Sequence, residues 1–151
     1  MDVMIAVVGA GSCDGDTAER AHRVGRLLAQ RGAVVVTGGG GGVMEAAARG
    51  VRDGRGTVVG VLPGDSRRDG NQYLSIAIAT GMGEARNAVI ARTCDAMIAV
   101  GGEYGTLSEM ALALKMGKRV VSLGSWDVDE RILRVSSPEQ AVGAAMEGAR
   151  G

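Results

Sequence analysis

Short apolar runs rich in β-branched residues alternate with longer segments of helical periodicity along the chain. The runs occupy residues 3–8, 33–36, 57–62, 74–79, 96–100 and 119–123, and a weaker one spans 131–135. Near-continuous apolar strands of this length are typical of a parallel sheet that is buried on both faces. The pattern therefore predicts an α/β fold, a single-domain doubly wound (Rossmann-like) parallel sheet with helices on both faces.

Capping signals mark where several of the helices begin. The segment Asp16-Thr17-Ala18-Glu19 has the spacing of a capping box for the first helix, and Thr106 with Glu109 has it for a later one. Ser137 followed by Pro138 predicts the start of the last helix. If the second box forms, the Glu109 carboxylate accepts a hydrogen bond from the Thr106 N–H and caps the helix. The alternative is that Glu109 has a chemical role at the site, and the sequence leaves both interpretations open.

Two glycine-rich segments, 38–42 and 101–105, each follow an apolar run and open a helix. Backbone N–H groups at a helix N-terminus attract anions, and parallel strands bring their carboxyl ends to one edge of the sheet. The sequence therefore predicts a site for a phosphorylated small molecule, such as a nucleotide, at that edge. The predicted phosphate- or nucleotide-binding residues are Gly11, Ser12, Gly39, Gly40, Gly41, Asn87, Gly101, Gly102, Gly105 and Thr106.

The composition and charge of the chain argue against some classes of binding partner. The 151 residues fit one domain, 1–151, and the 17 basic and 17 acidic side chains leave no excess of positive charge for nucleic acid or membrane binding. One histidine and two distant cysteines make no metal-ligand set, so no metal site is expected. Two thiols without a signal peptide favour a reducing, cytoplasmic location.

Neither of two common nucleotide motifs is complete. Gly9-Ala10-Gly11 matches only the first half of a dinucleotide fingerprint, and no Gly-Lys-Ser/Thr tripeptide is present. Arg86 follows a strand and two glycines, where its planar guanidinium can orient an anion, and Asn87 beside it can bind a sugar hydroxyl or a base. A solvated helix charge is the alternative for Arg86.

The segments GGGGGVMEAAARG and ARN…GGEYGTLSEMALAL resemble the Rossmann-like superfamily that contains the Lonely-guy phosphoribohydrolases, formerly labelled "possible lysine decarboxylase". The superfamily also includes molybdenum cofactor carrier proteins. The resemblance to the hydrolases implies that this chain would cleave the N-glycosidic bond of a nucleoside 5′-monophosphate, releasing base and ribose 5-phosphate. It does not imply lysine decarboxylation. Arg86 and Glu109 correspond to the catalytic pair, and no cofactor is required for that catalysis.

Departures from the hydrolase motif favour the short, carrier-like branch. Gly101 stands where the motif has proline, Glu103 replaces a glycine and Asn87 replaces a lysine. The favoured function is thus binding of a nucleotide or molybdenum cofactor without turnover. The alternative is phosphoribohydrolase activity, which the retention of Arg86 and Glu109 supports. The resemblance also implies a homodimer or higher homo-oligomer that packs through helices beside the site.

Overall fold

The computed structural model describes residues 1–150 and contains one parallel sheet of seven strands. The strands are β1 (Met4–Gly9), β2 (Val34–Thr37), β3 (Val58–Leu62), β4 (Ile76–Ala79), β5 (Ala96–Val100), β6 (Arg119–Leu123) and β7 (Ile132–Val135). The helices are α1 (Gly15–Gln30), α2 (Val43–Asp53), α3 (Arg86–Thr93), α4 (Tyr104–Lys115) and α5 (Pro138–Arg150). Short 3₁₀ turns span Arg67–Asp69 and Gly83–Ala85.

The first strand lies in the middle of the sheet, whose order is β4-β3-β2-β1-β5-β6-β7. The chain builds the sheet outwards from β1 on one side, then crosses back to place β5 on the other side of β1. The direction of winding changes between β1 and β5. In doubly wound sheets the loops at such a point diverge and leave a crevice beyond the carboxyl ends of the strands. The crevice here lies between the loops that follow Gly9 and Val100.

Helices cover both faces of the sheet, as the alternation of the sequence predicted. One apolar cluster joins Val24 of α1, Ala47 of α2 and Ala145 of α5 to the sheet, and a second joins Ile90 of α3 and Met110 of α4 to it. The predicted fold class is therefore confirmed. Within residues 1–150, no helix is both long enough and apolar enough to cross a membrane.

Two of the three helix starts predicted from the sequence differ from those in the structure. Asp14 caps α1, its carboxylate accepting from the Thr17 N–H at 2.8 Å, so the box predicted at 16–19 is wrong. Helix α4 begins at Tyr104, which places Thr106 in its first turn and frees Glu109 from any capping role. The prediction for α5 is confirmed, because the Gln140 N–H donates to Ser137 Oγ at 3.1 Å.

Helices α1 and α2 cross with their backbones in close contact, and two glycines make this possible. A Cβ atom on Gly25 would overlap the carbonyl oxygen of Ala47, and one on Gly50 would overlap that of His22. Close to the crossing, His22 Nε2 of α1 pairs with Asp53 Oδ2 of α2 at 2.7 Å, which links the two helices. The crossing holds α2, and with it the first glycine segment, against the rest of the site.

Candidate functional site

A cavity of about 220 Å³ opens at the crevice between β1 and β5. It is lined by residues from the end of β1, the β1–α1 loop, α2, α3, the β5–α4 loop and α4, namely Gly9, Ala10, Gly11, Met44, Arg86, Asn87, Glu103, Gly105, Thr106 and Glu109. A second cavity of about 360 Å³ shares Arg86, Asn87 and Gly105 with the first. Together these two cavities are called the cleft below.

Half of the residues predicted for the site line the smaller cavity. These are Gly11, Arg86, Asn87, Gly105, Thr106 and Glu109. The others do not line it, although they lie in the neighbouring loops; they are Ser12, Gly39, Gly40, Gly41, Gly101 and Gly102. Met44, Glu103 and Tyr104 contribute to the cleft without having been predicted as site residues.

Arg86, the first residue of α3, spans the carboxyl ends of two strands. Its Nη1 donates to the carbonyl oxygen of Gly38 at 2.6 Å and to that of Val61 at 2.8 Å, just beyond β2 and within β3. Its Nε is buried and has no partner among the described residues. Burial lowers the pKa of the guanidinium, and the nearby Glu109 carboxylate partly opposes this. The Arg86 guanidinium is thus a cation that is fixed against two strands and has one N–H group without a hydrogen-bond partner among the described residues.

Glu109 is buried on the side of α4 that faces the cavity and is 8% exposed. Burial raises the pKa of its carboxyl group from 4.5 to about 7, while the positive charge of Arg86 acts in the opposite direction. Desolvation dominates, as expected for a carboxylate removed from water. Near neutral pH this side chain can therefore either donate or accept a proton.

Asn87 is the most deeply buried amide at the site. It is 8% exposed, it lines both cavities of the cleft, and its Oδ1 has no hydrogen-bond partner among the described residues. Buried polar atoms in folded proteins are almost always paired, so an orphan of this kind calls for an explanation such as a ligand, an ion or a water molecule.

The N-terminus of α4 lies at the cleft, which its first residues Tyr104, Gly105 and Thr106 line. Glu103 occupies the N-cap position but its side chain makes no capping hydrogen bond. Gly102 has φ 108°, and a Cβ atom there would collide with the Thr106 side chain, so glycine is required for the chain to turn into the helix. A Cβ atom on Gly105 would meet open space within 4 Å, because this residue faces the cavity.

The first glycine segment packs closely against its surroundings, and two of its N–H groups have protein partners. The Gly39 N–H donates to Thr37 Oγ1 at 2.9 Å and the Gly40 N–H to Met44 Sδ at 3.4 Å. A Cβ atom on Gly38 would overlap the Arg86 guanidinium, and one on Gly42 would overlap the β1–α1 loop. Close packing against the cleft accounts for these glycines.

The only tryptophan of the chain borders the cleft. Trp126 Nε1 donates to the Glu103 carbonyl oxygen at 2.9 Å, and its ring lies 5.7 Å from that of Tyr104. It thereby ties the loop after β6 to the start of α4. Nothing in the sequence pairs Trp126 with Glu103.

These features define a doubly wound α/β protein with a cleft at the carboxyl edge of its sheet. The chain belongs to the SLOG cluster4 family, whose model matches residues 2–148. The resemblance inferred from the two glycine motifs, to the Rossmann-like superfamily and its carrier-like branch, is confirmed by this match and by the structural neighbours.

Two similar structures have named ligands. The molybdenum cofactor binding protein of Rippkaea orientalis is 34% identical with a TM-score of 0.92, covering 97% of each chain. The molybdenum cofactor carrier protein of Chlamydomonas reinhardtii is 29% identical with a TM-score of 0.87, covering 100% of each chain. A relative without an assigned function, from Archaeoglobus fulgidus, is 50% identical over 93% of this chain and 92% of its own length.

Proposed function

We propose that this protein binds a phosphorylated small molecule, a nucleotide or a molybdopterin-type cofactor, in the cleft and does not turn it over. The observation that carries the proposal is the meeting of the uncapped N-terminus of α4 with buried, unpartnered polar atoms of Arg86 and Asn87. The names of the similar carrier and binding proteins support the same class of ligand.

Each part of the cleft suits one part of such a ligand. The phosphate would lie against the backbone of Gly105 and Thr106, where the helix dipole favours negative charge. Arg86 and Asn87 also line the cavity, where the guanidinium can donate to the phosphate and the amide can bind a sugar hydroxyl or a ring N–H. The larger cavity, which includes Pro63 and Tyr104, has room for a ring system.

Ligand binding is tested by titration with adenosine and guanosine monophosphate and with the phosphorylated pterin cofactor released from a molybdenum enzyme. Fluorescence of Trp126 reports directly on the start of α4, and equilibrium dialysis gives the stoichiometry. We expect saturable binding of at least one phosphorylated compound and none of its dephosphorylated form, measured both in EDTA and in Mg²⁺. Equal binding of both forms, or of no compound in either buffer, would contradict the proposal.

The variant Gly105→Val is expected to weaken binding at least about tenfold. Its side chain would project into the open space where the phosphate approaches, and steric overlap of this kind typically costs about 1–3 kcal/mol. Gly143→Val in α5 is the matched control, because a Cβ atom there also meets open space but lies outside the cleft lining. An unchanged affinity in Gly105→Val would place the phosphate elsewhere.

Phosphoribohydrolase activity is the alternative, and Glu109 is the observation that favours it. A buried carboxyl group with a pKa of about 7 can act as a general acid or base at neutral pH. Chromatography of adenosine monophosphate after incubation with excess protein decides between the two. Free base that forms with the wild type and not with Glu109→Gln would establish the enzyme, and intact nucleotide after long incubation supports binding without turnover.

We also propose that the chain forms a homo-oligomer through the face of the sheet that carries α3 and α4. At the open edge of that face Ile76, Ile78 and Met82 are about half exposed, at 51%, 48% and 46%. Ile78→Glu is expected to shift the mass measured by light scattering toward the monomer, whereas Leu133→Glu, on the opposite face of the sheet at its other edge, leaves it unchanged. A wild-type protein of monomeric mass would contradict this proposal.

A further inference from the structure

Tyr104 is the one strongly exposed aromatic side chain within residues 1–150. The chain has three aromatic residues, and Tyr73 and Trp126 are half-buried whereas Tyr104 is 79% exposed. Burial of an aromatic ring contributes strongly to stability, so a ring that stays exposed calls for an explanation. Tyr104 lines the larger cavity of the cleft, where a bound ligand would cover it.

The ring of Tyr104 is held in one place although it is exposed. It lies 5.7 Å from the Trp126 ring with an angle of 35° between the two planes, which makes a tilted aromatic pair. Trp126 is itself fixed, because its Nε1 donates to the Glu103 carbonyl oxygen at 2.9 Å. A side chain that is already ordered loses less conformational entropy when a ligand packs against it. Tyr104 thus has the properties of a preorganised stacking surface.

Glu84, in the turn before α3, lines the same cavity, and of the described lining residues it is the one that carries a carboxylate. A carboxylate has two acceptor oxygens side by side, so its best neutral partner is a pair of adjacent N–H donors. Guanine and pterin rings present such a pair, a ring N–H next to an amino group. Adenine presents an amino group next to a bare ring nitrogen, whose lone pair is repelled by a carboxylate.

We propose that the ring of the bound ligand stacks on Tyr104 and pairs with Glu84, so that the cleft selects guanine or pterin rings over adenine. This inference rests on the function proposed above and narrows its ligand to one class of ring. Gly105 lines both cavities, so a phosphate beside it leaves the larger cavity of about 360 Å³ for the ring. Ser108 lines that cavity too, and its hydroxyl can donate to the ring carbonyl oxygen.

Equilibrium dialysis with guanosine, inosine and adenosine monophosphate tests the selection, because the three share their sugar and phosphate. The wild type is expected to bind guanosine monophosphate at least about fivefold more tightly than adenosine monophosphate. Inosine monophosphate, which lacks the amino group, should lie between them. Glu84→Gln is expected to remove most of this preference. Glu147→Gln, at an exposed carboxylate on α5 outside the cleft lining, is the matched control and should keep it.

The stacking is tested with Tyr104→Ala, which is expected to weaken binding of guanosine monophosphate about 5- to 150-fold, the range for a base stacked on an aromatic side chain. Tyr104→Phe keeps the ring and is expected to bind like the wild type. Ribose 5-phosphate has no base, so its affinity should be the same for Tyr104→Ala and the wild type. Leu133→Ala removes another exposed apolar side chain, one outside the cleft lining, and is the matched control.

The inference is overturned, and phosphate-dependent binding stands, if the wild type binds guanosine and adenosine monophosphate equally or if neither variant lowers the affinity. The same holds if Tyr104→Ala loses ribose 5-phosphate as much as guanosine monophosphate. If only the phosphorylated pterin binds, its affinity is measured in both variants instead. If circular dichroism shows that Tyr104→Ala does not fold, the comparison of Glu84→Gln with Glu147→Gln decides. Absence of binding by every phosphorylated compound would overturn the proposed function and this inference with it.

Discussion

Gly50→Ala is expected to lower the free energy of unfolding by about 3 kcal/mol or more. The new methyl group would overlap the carbonyl oxygen of His22, which belongs to the backbone of α1 and cannot turn aside as a side chain can. This overlap can be removed only if α1 and α2 move apart. That movement would open the packed cluster that Val24 and Ala47 share with the sheet. Overpacking that displaces backbone lies at the upper end of such effects.

The control for this variant is Gly143→Ala. Gly143 lies within α5, and a Cβ atom there has no atom within 4 Å. Alanine is the better helix former by about 1 kcal/mol, so this variant should be slightly more stable than the wild type. Denaturant unfolding followed by circular dichroism measures both. A Gly50→Ala protein with wild-type stability would mean that the two helices cross at a greater distance than the structure shows.

Glu109→Gln is expected to gain stability relative to the wild type as the pH rises, by about 3 kcal/mol between pH 4.5 and pH 9. The carboxyl group of Glu109 has a pKa of about 7 in the folded protein and an ordinary value of 4.5, so the folded state binds its proton more tightly than the unfolded state. Between these values the unfolded state has lost the proton and the folded state keeps it. The wild type therefore loses stability as the pH rises through this range, and glutamine has no proton to lose.

Urea unfolding at intervals from pH 4.5 to pH 9 measures this difference. Glu147→Gln is the control for the same replacement at a carboxylate that is exposed on α5. A difference between Glu109→Gln and the wild type that stays constant across the range would show that Glu109 is solvated in the folded protein. The measurement is made without added ligand or metal, so that only the proton is linked to unfolding.

The burial of the Glu109 carboxyl group, which is expected to lower the stability of the folded protein, indicates a functional role for this residue. A buried carboxyl group that lowers stability at neutral pH contributes nothing to packing that an apolar side chain would not supply, and such groups occur preferentially at functional sites. Its place in the cavity beside Arg86 makes it available to a ligand in either protonation state. The same residue thus serves the binding proposal and its enzymatic alternative.

The order of strands and helices could be predicted from the sequence because strands that are buried on both faces of a sheet are short, nearly continuous apolar runs. The strands β5 and β6 were predicted with the bounds that the structure shows, since β5 is apolar throughout, β6 is mostly apolar and buried after Arg119, and each is bounded by turns. Position at the carboxyl ends of strands was enough to bring Arg86, Asn87, Thr106 and Glu109 to one edge of the sheet, and they line one cavity.

Helix starts were harder to predict, because a capping box is a local pattern that competes with tertiary contacts. Thr106 and Glu109 have the right spacing, but α4 begins two residues earlier, where Gly102 turns the chain over the Thr106 side chain. Once the helix begins at Tyr104, Glu109 faces the cavity. Its chemistry thus depends on a boundary that local sequence did not determine.

By itself the sequence determined the fold class, the edge of the sheet at which the cavity lies, and six of the ten residues that line the smaller cavity. These follow from periodicity and from the fact that parallel strands all end on the same side. Only the tertiary structure decided which polar groups are already satisfied. Arg86 is bound to strand carbonyls, the Gly39 and Gly40 N–H groups are paired, and Asn87 Oδ1 is left without a partner, because pairing depends on atoms far apart in the chain.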